Sequence, residues 1–147
     1  MTDWTLRRAE PRDAKAFGQC LEAAYADYAG RLAGLPSMSE GLDAEIAEHL
    51  VWLAEADGRT LGALVLIEGD GYMGLANVAV HPDARGQGLG RRLLRLAEGE
   101  AAGRGYPELR LTTHVEMAET IALYERNGWR RTSREANKIR MTKSLAG

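Results

Sequence analysis

The sequence predicts an α+β layer fold built on a mixed, largely antiparallel sheet of about seven strands with about four helices. Three observations carry that prediction. Runs with two-residue alternation recur along the chain, and two pairs of them are joined by tight-turn positions, Asp57-Gly58 and Ala136-Asn137. Between the runs lie segments whose apolar residues recur every three to four positions, the period of a helix that covers a sheet. The 147 residues contain no repeat, low-complexity tract or interdomain linker, so residues 1–147 are expected to form one domain.

Trp4 to Ala9 alternates as a first strand. Pro11-Arg12-Asp13 then opens a helix, proline being at home in a first turn, and Phe17, Leu21, Ala24, Tyr25 and Tyr28 follow at helical spacing. Gly34-Leu35-Pro36-Ser37 breaks that helix, and a short acidic helix is expected from about Ser39 to Ala47. His49–Glu55 and Thr60–Glu68 form a hairpin, and Gly69-Asp70-Gly71 turns the chain into the strand Tyr72–Val80. A central helix is expected from about Gly88 to Arg104, with Leu89, Leu93, Leu96 and Ala97 on one stripe. Glu108–His114 sets Leu109, Leu111 and Thr113 against Arg110 and Thr112, the alternation of a strand. A short helix follows, and Trp129–Glu135 with Lys138–Ser144 closes the chain as a second hairpin.

Composition narrows the function. A single cysteine, Cys20, rules out an internal disulfide, and its place among Phe17, Leu21 and Ala24 makes it a packing residue. His49, His81 and His114 lie far apart, with no Cys/His cluster at metal-ligand spacing, so no metal is expected. No apolar run approaches the ~18 residues needed to cross a membrane, and the amino terminus has no signal-peptide core, so a cytoplasmic protein is expected. The net charge of −2 is unevenly spread. Residues 85–95 hold four arginines and no acid, while residues 10–57 hold ten acids against three bases. The first stretch suits an anionic ligand; the second is compatible with a cationic amine drawn by the overall field or with plain solvated helix faces. Nucleic-acid binding is not indicated, because no basic stripe carries interleaved aromatics.

The most informative segment runs from Val78 to Leu94. It joins the end of a strand to an amphipathic helix through a loop with glycine at alternate positions, Gly86, Gly88 and Gly90. A loop that opens directly into a helix turns several unpaired N–H groups toward one point at the positive end of the helix dipole, which is a phosphate site. Glycine lets the backbone come close to an anion and tolerates positive φ. Arg85, Arg91, Arg92 and Arg95 are expected around it. A Walker loop is excluded, since the lysine and the hydroxyl residue that follow its last glycine are missing. A dinucleotide fingerprint counted from Gly86 fails at Arg91, where it requires glycine.

The spacing found, Val78-x-Val80 followed by Arg85-x-x-Gly88-x-Gly90, resembles the acetyl-CoA loop of the GNAT superfamily of N-acetyltransferases. The segment from Glu116 to Trp129, with Leu123-Tyr124-Glu125 before Asn127-Gly128, resembles the other hallmark of that superfamily, one strand further along. The likeness extends through Tyr25–Leu32, Leu35–Met38 and Leu75–Val80, as in a bacterial branch of mostly unassigned substrate. It implies a three-layer GNAT-like fold whose strands splay at the acetyl-CoA site. The strand holding Val78, Ala79 and Val80 would diverge from Glu108–His114, and the acetyl-pantetheine arm would bond its main chain in the gap. The N–H groups from Gly86 through Gln87, Gly88, Leu89 and Gly90 to Arg91, with Arg85 beside them, would take the pyrophosphate. Thr120 would bond the pantetheine amide, and Tyr124 would serve the sulfur as general acid. Tyr25, Tyr28 and Arg31, with Met38, belong to the segment expected over the acceptor.

The implied activity is acetyl transfer from acetyl-CoA, without a metal, directly to a primary amine of a small molecule or peptide amino terminus. The superfamily habit adds a homodimer as an expectation. Two departures mark this chain. Many members carry a Glu one residue ahead of the Asn77 position, where this sequence has Ala76, so the base is unassigned among Glu22, Glu108, Asp70 and water. Met117 stands where a polar Asn is common and is expected to pack. The missing Glu supports an alternative, an acyl-CoA-binding sensor or regulator with little or no transfer activity.

Overall fold

The computed structural model describes residues 3–26 and 41–145. Seven strands lie in one sheet: β1 (Thr5–Arg8), β2 (Leu50–Ala56), β3 (Arg59–Glu68), β4 (Met73–Val80), β5 (Glu108–His114), β6 (Arg130–Glu135) and β7 (Lys138–Ser144). Four α-helices cover it: α1 (Ala14–Tyr25), α2 (Leu42–Glu48), α3 (Leu89–Gly103) and α4 (Ala118–Arg126). The strand order is β1-β2-β3-β4-β5-β7-β6, antiparallel throughout except for β4 and β5. The strands and α3 are present within a residue or so of their expected ends, while the first helix opens as a 3₁₀ turn over Pro11–Asp13 before α1 starts at Ala14, and α2 starts at Leu42. The expected break at Gly34–Ser37 and the expected helix start at Ser39 lie outside the described residues. The β2–β3 turn carries positive φ at both Asp57 and Gly58 (52° and 74°), the geometry a two-residue hairpin demands.

Helices pack both faces of the sheet, and the stripes decide how. Phe17 and Leu21 of α1 lie on Val51, Leu53, Ala63, Val65 and Ala79. On the opposite face Leu89, Leu93, Leu94, Ala97 and Ala101 of α3 meet Leu64, Leu66, Met73, Leu109 and Met141. The stripe differs from the expected one in a single respect. Leu94 is fully buried and Leu96 only partly so, because the helix lies across several strands and buries a band wider than one row. Truncating one of the fully buried leucines is worth about 2–5 kcal/mol of stability. Cys20 is 2% exposed with its thiol pushed up to about 11 by burial, a packing residue as expected.

A clamp of side chains fixes the amino-terminal corner. Arg7 on β1 donates to both carboxylate oxygens of Asp13, each at 2.9 Å, and to Glu55 on β2 at 2.5 Å. Asp13 also accepts the main-chain N–H of Glu10 at 2.7 Å. The Arg7 guanidinium holds the Asp13 carboxyl at about 2, below its ordinary 3.8. A folded-state pKa depressed in this way stabilises the fold above about pH 4 and loses that stability as the pH falls toward 2. With Arg7 partly exposed, the contribution is on the order of 1–2 kcal/mol. The Tm gap between Asp13→Asn and the parent is therefore expected to be open at pH 6 and to narrow below pH 4; a gap independent of pH would show that Asp13 acts by packing alone.

The feature that positions the site is a defect in the sheet. Strands β4 and β5 are the parallel pair, and they pair only at Met73–Leu109 and Gly74–Arg110. Beyond Gly74 they separate, leaving the last six residues of β4 without a partner on that side. Here the register of β4 against β3 also slips: Val65 faces Asn77 while Leu66 faces Leu75, so Ala76 is a bulge. The extra residue turns the strand just where it leaves its neighbour. Among the described residues no helix is long and apolar enough to cross a membrane, and no three His, Cys, Asp or Glu side chains stand together as a metal site.

Candidate functional site

The loop after β4 is built from its own short-range bonds. Pro82–Ala84 forms a 3₁₀ turn, His81 Nδ1 accepts the Asp83 N–H at 3.1 Å, and Gln87 Nε2 donates to the Asp83 carbonyl at 3.1 Å. Arg59 pairs with Asp83 at 2.6 Å, and Ala84 is buried beneath. The chain then enters α3 through Gly86 and Gly88, at φ of 77° and 86°, with open space wherever a Cβ would stand. Gly88 caps the helix, so the N–H groups that follow it have no acceptor in the preceding turn. Gly90 differs from its expected role. It lies inside α3 at a helical φ, where a Cβ would meet only the movable end of Leu123, Cδ2 at 3.0 Å.

Below the loop a cleft of about 980 Å³ opens between α3 and α4 and reaches the unpaired end of β4. Val78, Ala79 and Val80 bound it on the sheet, Arg85, Gly86, Gly88, Leu89, Gly90 and Arg91 at the loop and first helical turn, and Thr120 and Leu123 on α4. Positive charge dominates the lining: Arg85, Arg91, Arg95, Arg126 and Lys143 against Glu98 and Glu119. Lys143 is half committed, lying 3.6 Å from Glu98 and donating to the Asn127 carbonyl at 2.5 Å. An open-backed loop, a helix start and a basic wall together suit a ligand with several phosphate charges.

Where α1 reaches β4, the Tyr25 hydroxyl donates to Asn77 Oδ1 at 2.5 Å and lies 3.4 Å from the Val78 carbonyl. Tyr25 thus stands at the bulge and also bounds the cleft. Tyr124 is 5% exposed on α4, its ring 5.5 Å from that of Trp129. Burial pushes its phenol far above the ordinary value, and the nearby Tyr25 adds to the push. The phenol therefore keeps its proton throughout the working range of pH.

Residues 47–131 match the family model of the acetyltransferase (GNAT) domain, more than half of the chain. The chain belongs to the GNAT acetyltransferase family. It is 41% identical over 68 residues to an IAA acetyltransferase of Azospirillum brasilense, a match covering 46% of this chain and 44% of that protein. It is 32% identical over 96 residues to a mycothiol acetyltransferase of Nocardiopsis dassonvillei, covering 65% of this chain and 28% of that one. The chain thus spans less than half the length of these curated relatives. Among solved structures, the PaiA N-acetyltransferase of Thermoplasma acidophilum in complex with coenzyme A shares the fold, with a TM-score of 0.85, 19% identity, and coverage of 97% of this chain and 99% of that one.

Within this GNAT domain, most of the expected ligand contacts come together in the cleft, and several do not. Gln87 turns back onto Asp83 instead of bounding the cleft. Arg92 departs too, its guanidinium lying 5.9 Å over the Trp4 ring, because one helical step from Arg91 carries it round to the sheet side. Arg85 does bound the cleft but also donates to the Ala24 carbonyl at 2.8 Å, tying the loop to the end of α1. Tyr124 belongs to the core beside the cleft and is not among the residues bounding it. Tyr28, Arg31 and Met38 lie outside the described residues. Met117 is 6% exposed and packs, its sulfur accepting from Thr113 Oγ1 at 3.8 Å.

The candidate bases separate clearly. Glu22 and Asp70 are exposed and bound neither cavity, and Ala76 leaves the bulge without a carboxylate. Glu108 instead lines a second concavity of about 690 Å³ on the α1 face of the sheet, beyond the edge of α1, together with Gly74 and Ala76. It is half-buried and accepts from Arg110 Nε at 2.6 Å. The cleft and this groove bound the same strand, at Val78–Val80 and Gly74–Ala76, with Asn77 between them. Asn77, Arg126 and Lys143 were not among the expected site residues. Asn77 and Arg126 lie inside the Leu75–Val80 and Glu116–Trp129 segments with no role assigned there, Lys143 stands in neither, and only the folding of β4, α4 and β7 brings them to the gap.

Proposed function

We propose that the protein transfers an acetyl group from acetyl-CoA directly to a primary amine of a small molecule or peptide amino terminus. The observation that carries this reading is the unpaired end of β4 lying beside an open glycine loop at the start of α3. The loop N–H groups from Gly86 to Arg91 would hold the pyrophosphate, and the free main-chain groups of Val78–Val80 would hold the pantetheine arm as a false strand. When bound, the thioester supplies an activated acetyl carbon. Main-chain N–H groups of β4 turned toward the gap would stabilise the oxygen charge that develops on attack. The Tyr124 hydroxyl would serve the departing sulfur.

The amine must arrive neutral, and deprotonating a lysine-like amine at pH 7 costs about 4.6 kcal/mol. With Ala76 at the bulge, that proton would leave through water in the groove or to Glu108. The absence of a carboxylate on the bulge also supports a second reading, an acyl-CoA sensor with little transfer activity. Thiol release from acetyl-CoA across a panel of alkylamines, amino acids and peptides separates the two. Turnover of any amine is expected; coenzyme A binding with no turnover on the whole panel would establish the sensor.

A further inference from the structure

Three arginines stand on the α1 face of the sheet, beyond the edge of α1. Thr142 of β7 is paired with Arg110 of β5 on one side and with Arg130 of β6 on the other. Arg140, two residues before Thr142, turns to the same face, with Thr112 as its β5 partner. Arg140 lies diagonally to each of the other two, about 7–8 Å away in an antiparallel ladder, while Arg110 and Arg130 flank β7 about two strand spacings apart. All three line one concavity, the groove that also holds Gly74 and Ala76. Thr112, Thr132 and Thr142 set hydroxyl groups between them.

Like charges at that spacing repel, and the neighbouring acids offset the repulsion only in part. Arg110 lies over the Tyr72 ring at 4.2 Å and donates its Nε to Glu108 at 2.6 Å. Arg140 meets Glu135 at 3.2 Å in a pair exposed on both sides, which is weak. Arg130 has no carboxylate partner among the described residues. A face that concentrates cationic forks, spaced by hydroxyls and opening on the bulge, has the chemistry of a carboxylate receptor.

We propose that this groove selects an acceptor carrying a carboxylate at the far end of its chain from the reacting amine, an ω-amino acid, held by Arg130 and Arg140 with Arg110 beside them. The inference rests on the acetyltransferase reading above. Its length requirement comes from the strands. Arg110 is level with Gly74, and Val78, where the acetyl group would lie, is about 13 Å further along β4 at the strand rise. The reach of an arginine side chain shortens that span but does not close it, so an α-amino acid is too short and several methylene groups are needed. The same charges repel an ammonium group, which turns the amine end toward the gap and favours its neutral form. That preference acts at the place where Ala76 leaves no base. In the transfer the amine loses one proton to water before attack. The C–N bond then forms, the C–S bond breaks, and one of the two protons still on the attacking nitrogen passes by way of solvent to the thiolate, which the Tyr124 hydroxyl hydrogen-bonds, while the other stays on the amide product.

The test is a series of ω-amino acids of increasing length, each beside the alkylamine that lacks its carboxylate, assayed by thiol release, with coenzyme A binding measured separately by calorimetry. At the best length the ω-amino acid is expected to exceed its alkylamine in kcat/KM by roughly tenfold or more. Arg130→Gln and Arg140→Gln, both exposed positions, are expected to bring that ratio toward one with coenzyme A affinity unchanged. Equal turnover of both series, a ratio that survives both substitutions, or no turnover of any ω-amino acid by protein that binds coenzyme A would overturn the inference and leave the donor site standing. Failure to bind coenzyme A would sink the donor reading, and this inference with it.

Discussion

Replacing Tyr124 by Phe is expected to lower kcat by roughly 10²-fold, the usual reach of a positioned proton donor, while the KM for acetyl-CoA moves little. The substitution keeps the ring, its contact with Trp129 at 5.5 Å and the packing of α4, so Tm should hold within a degree or two of the parent's. The upward push on the phenol sharpens what the hydroxyl does. A phenol at its ordinary pKa near 10 is already about 2 kcal/mol too weak an acid to protonate a thiolate of pKa ~8.5 outright, and burial widens that gap. Tyr124 would therefore stabilise the departing sulfur by a hydrogen bond, with the proton itself arriving later. It follows that the pH–rate profile should show no limb from Tyr124 at neutral pH, whatever the substitution does to kcat. A tyrosine serving the core alone predicts the opposite pattern: full turnover, with about 1 kcal/mol of stability lost. Its 5% exposure makes that alternative a fair contest, and one variant measured for both kinetics and melting decides it.

Much of the fold was legible because its signals are local. Asp57-Gly58 announces a hairpin through the positive φ both residues must adopt, and the apolar spacing of α1 and α3 reports which faces are buried. The glycine loop was legible for the same reason, since Gly86 and Gly88 do adopt positive φ. What was not legible depends on register and on contacts between distant segments. Nothing in Leu75-Ala76-Asn77 marks a bulge, because a bulge is a mismatch with a partner strand rather than a property of the strand itself. The convergence of Arg110, Arg130 and Arg140 needs the β5-β7-β6 order, in which the last strand of the chain inserts next to β5. Arg91 and Arg92 are adjacent in sequence and indistinguishable by type, yet one bounds the cleft and the other stacks over Trp4. Gly90 looked like a third loop glycine but lies within α3 without positive φ, beside Leu123 and the cleft.

Gly88→Val is expected to weaken coenzyme A binding by tenfold or more, roughly the loss of one charge-assisted hydrogen bond to phosphate. Two separate effects lead there. At a φ of 86° a β-branched residue is strained by about 1–3 kcal/mol, so the loop relaxes and its N–H groups lose their common aim. Added side-chain atoms would also fill the open space at Gly88, the very space a phosphate needs in order to approach the main chain. Gly90→Ala provides the contrast. It adds one carbon 3.0 Å from the movable end of Leu123, at a helical φ, and should cost little in either stability or affinity. Should Gly88→Val prove too unstable to assay, Gly88→Ala carries the same φ penalty with less bulk and is expected to fall between the two. Calorimetric titration of coenzyme A into all three, with Tm recorded alongside, separates loop geometry from general destabilisation. If Gly88→Val bound coenzyme A as tightly as the parent, the phosphates would have to be held by Arg91, Arg95, Arg126 and Lys143 along the cleft wall, and the start of α3 would lose its assigned role.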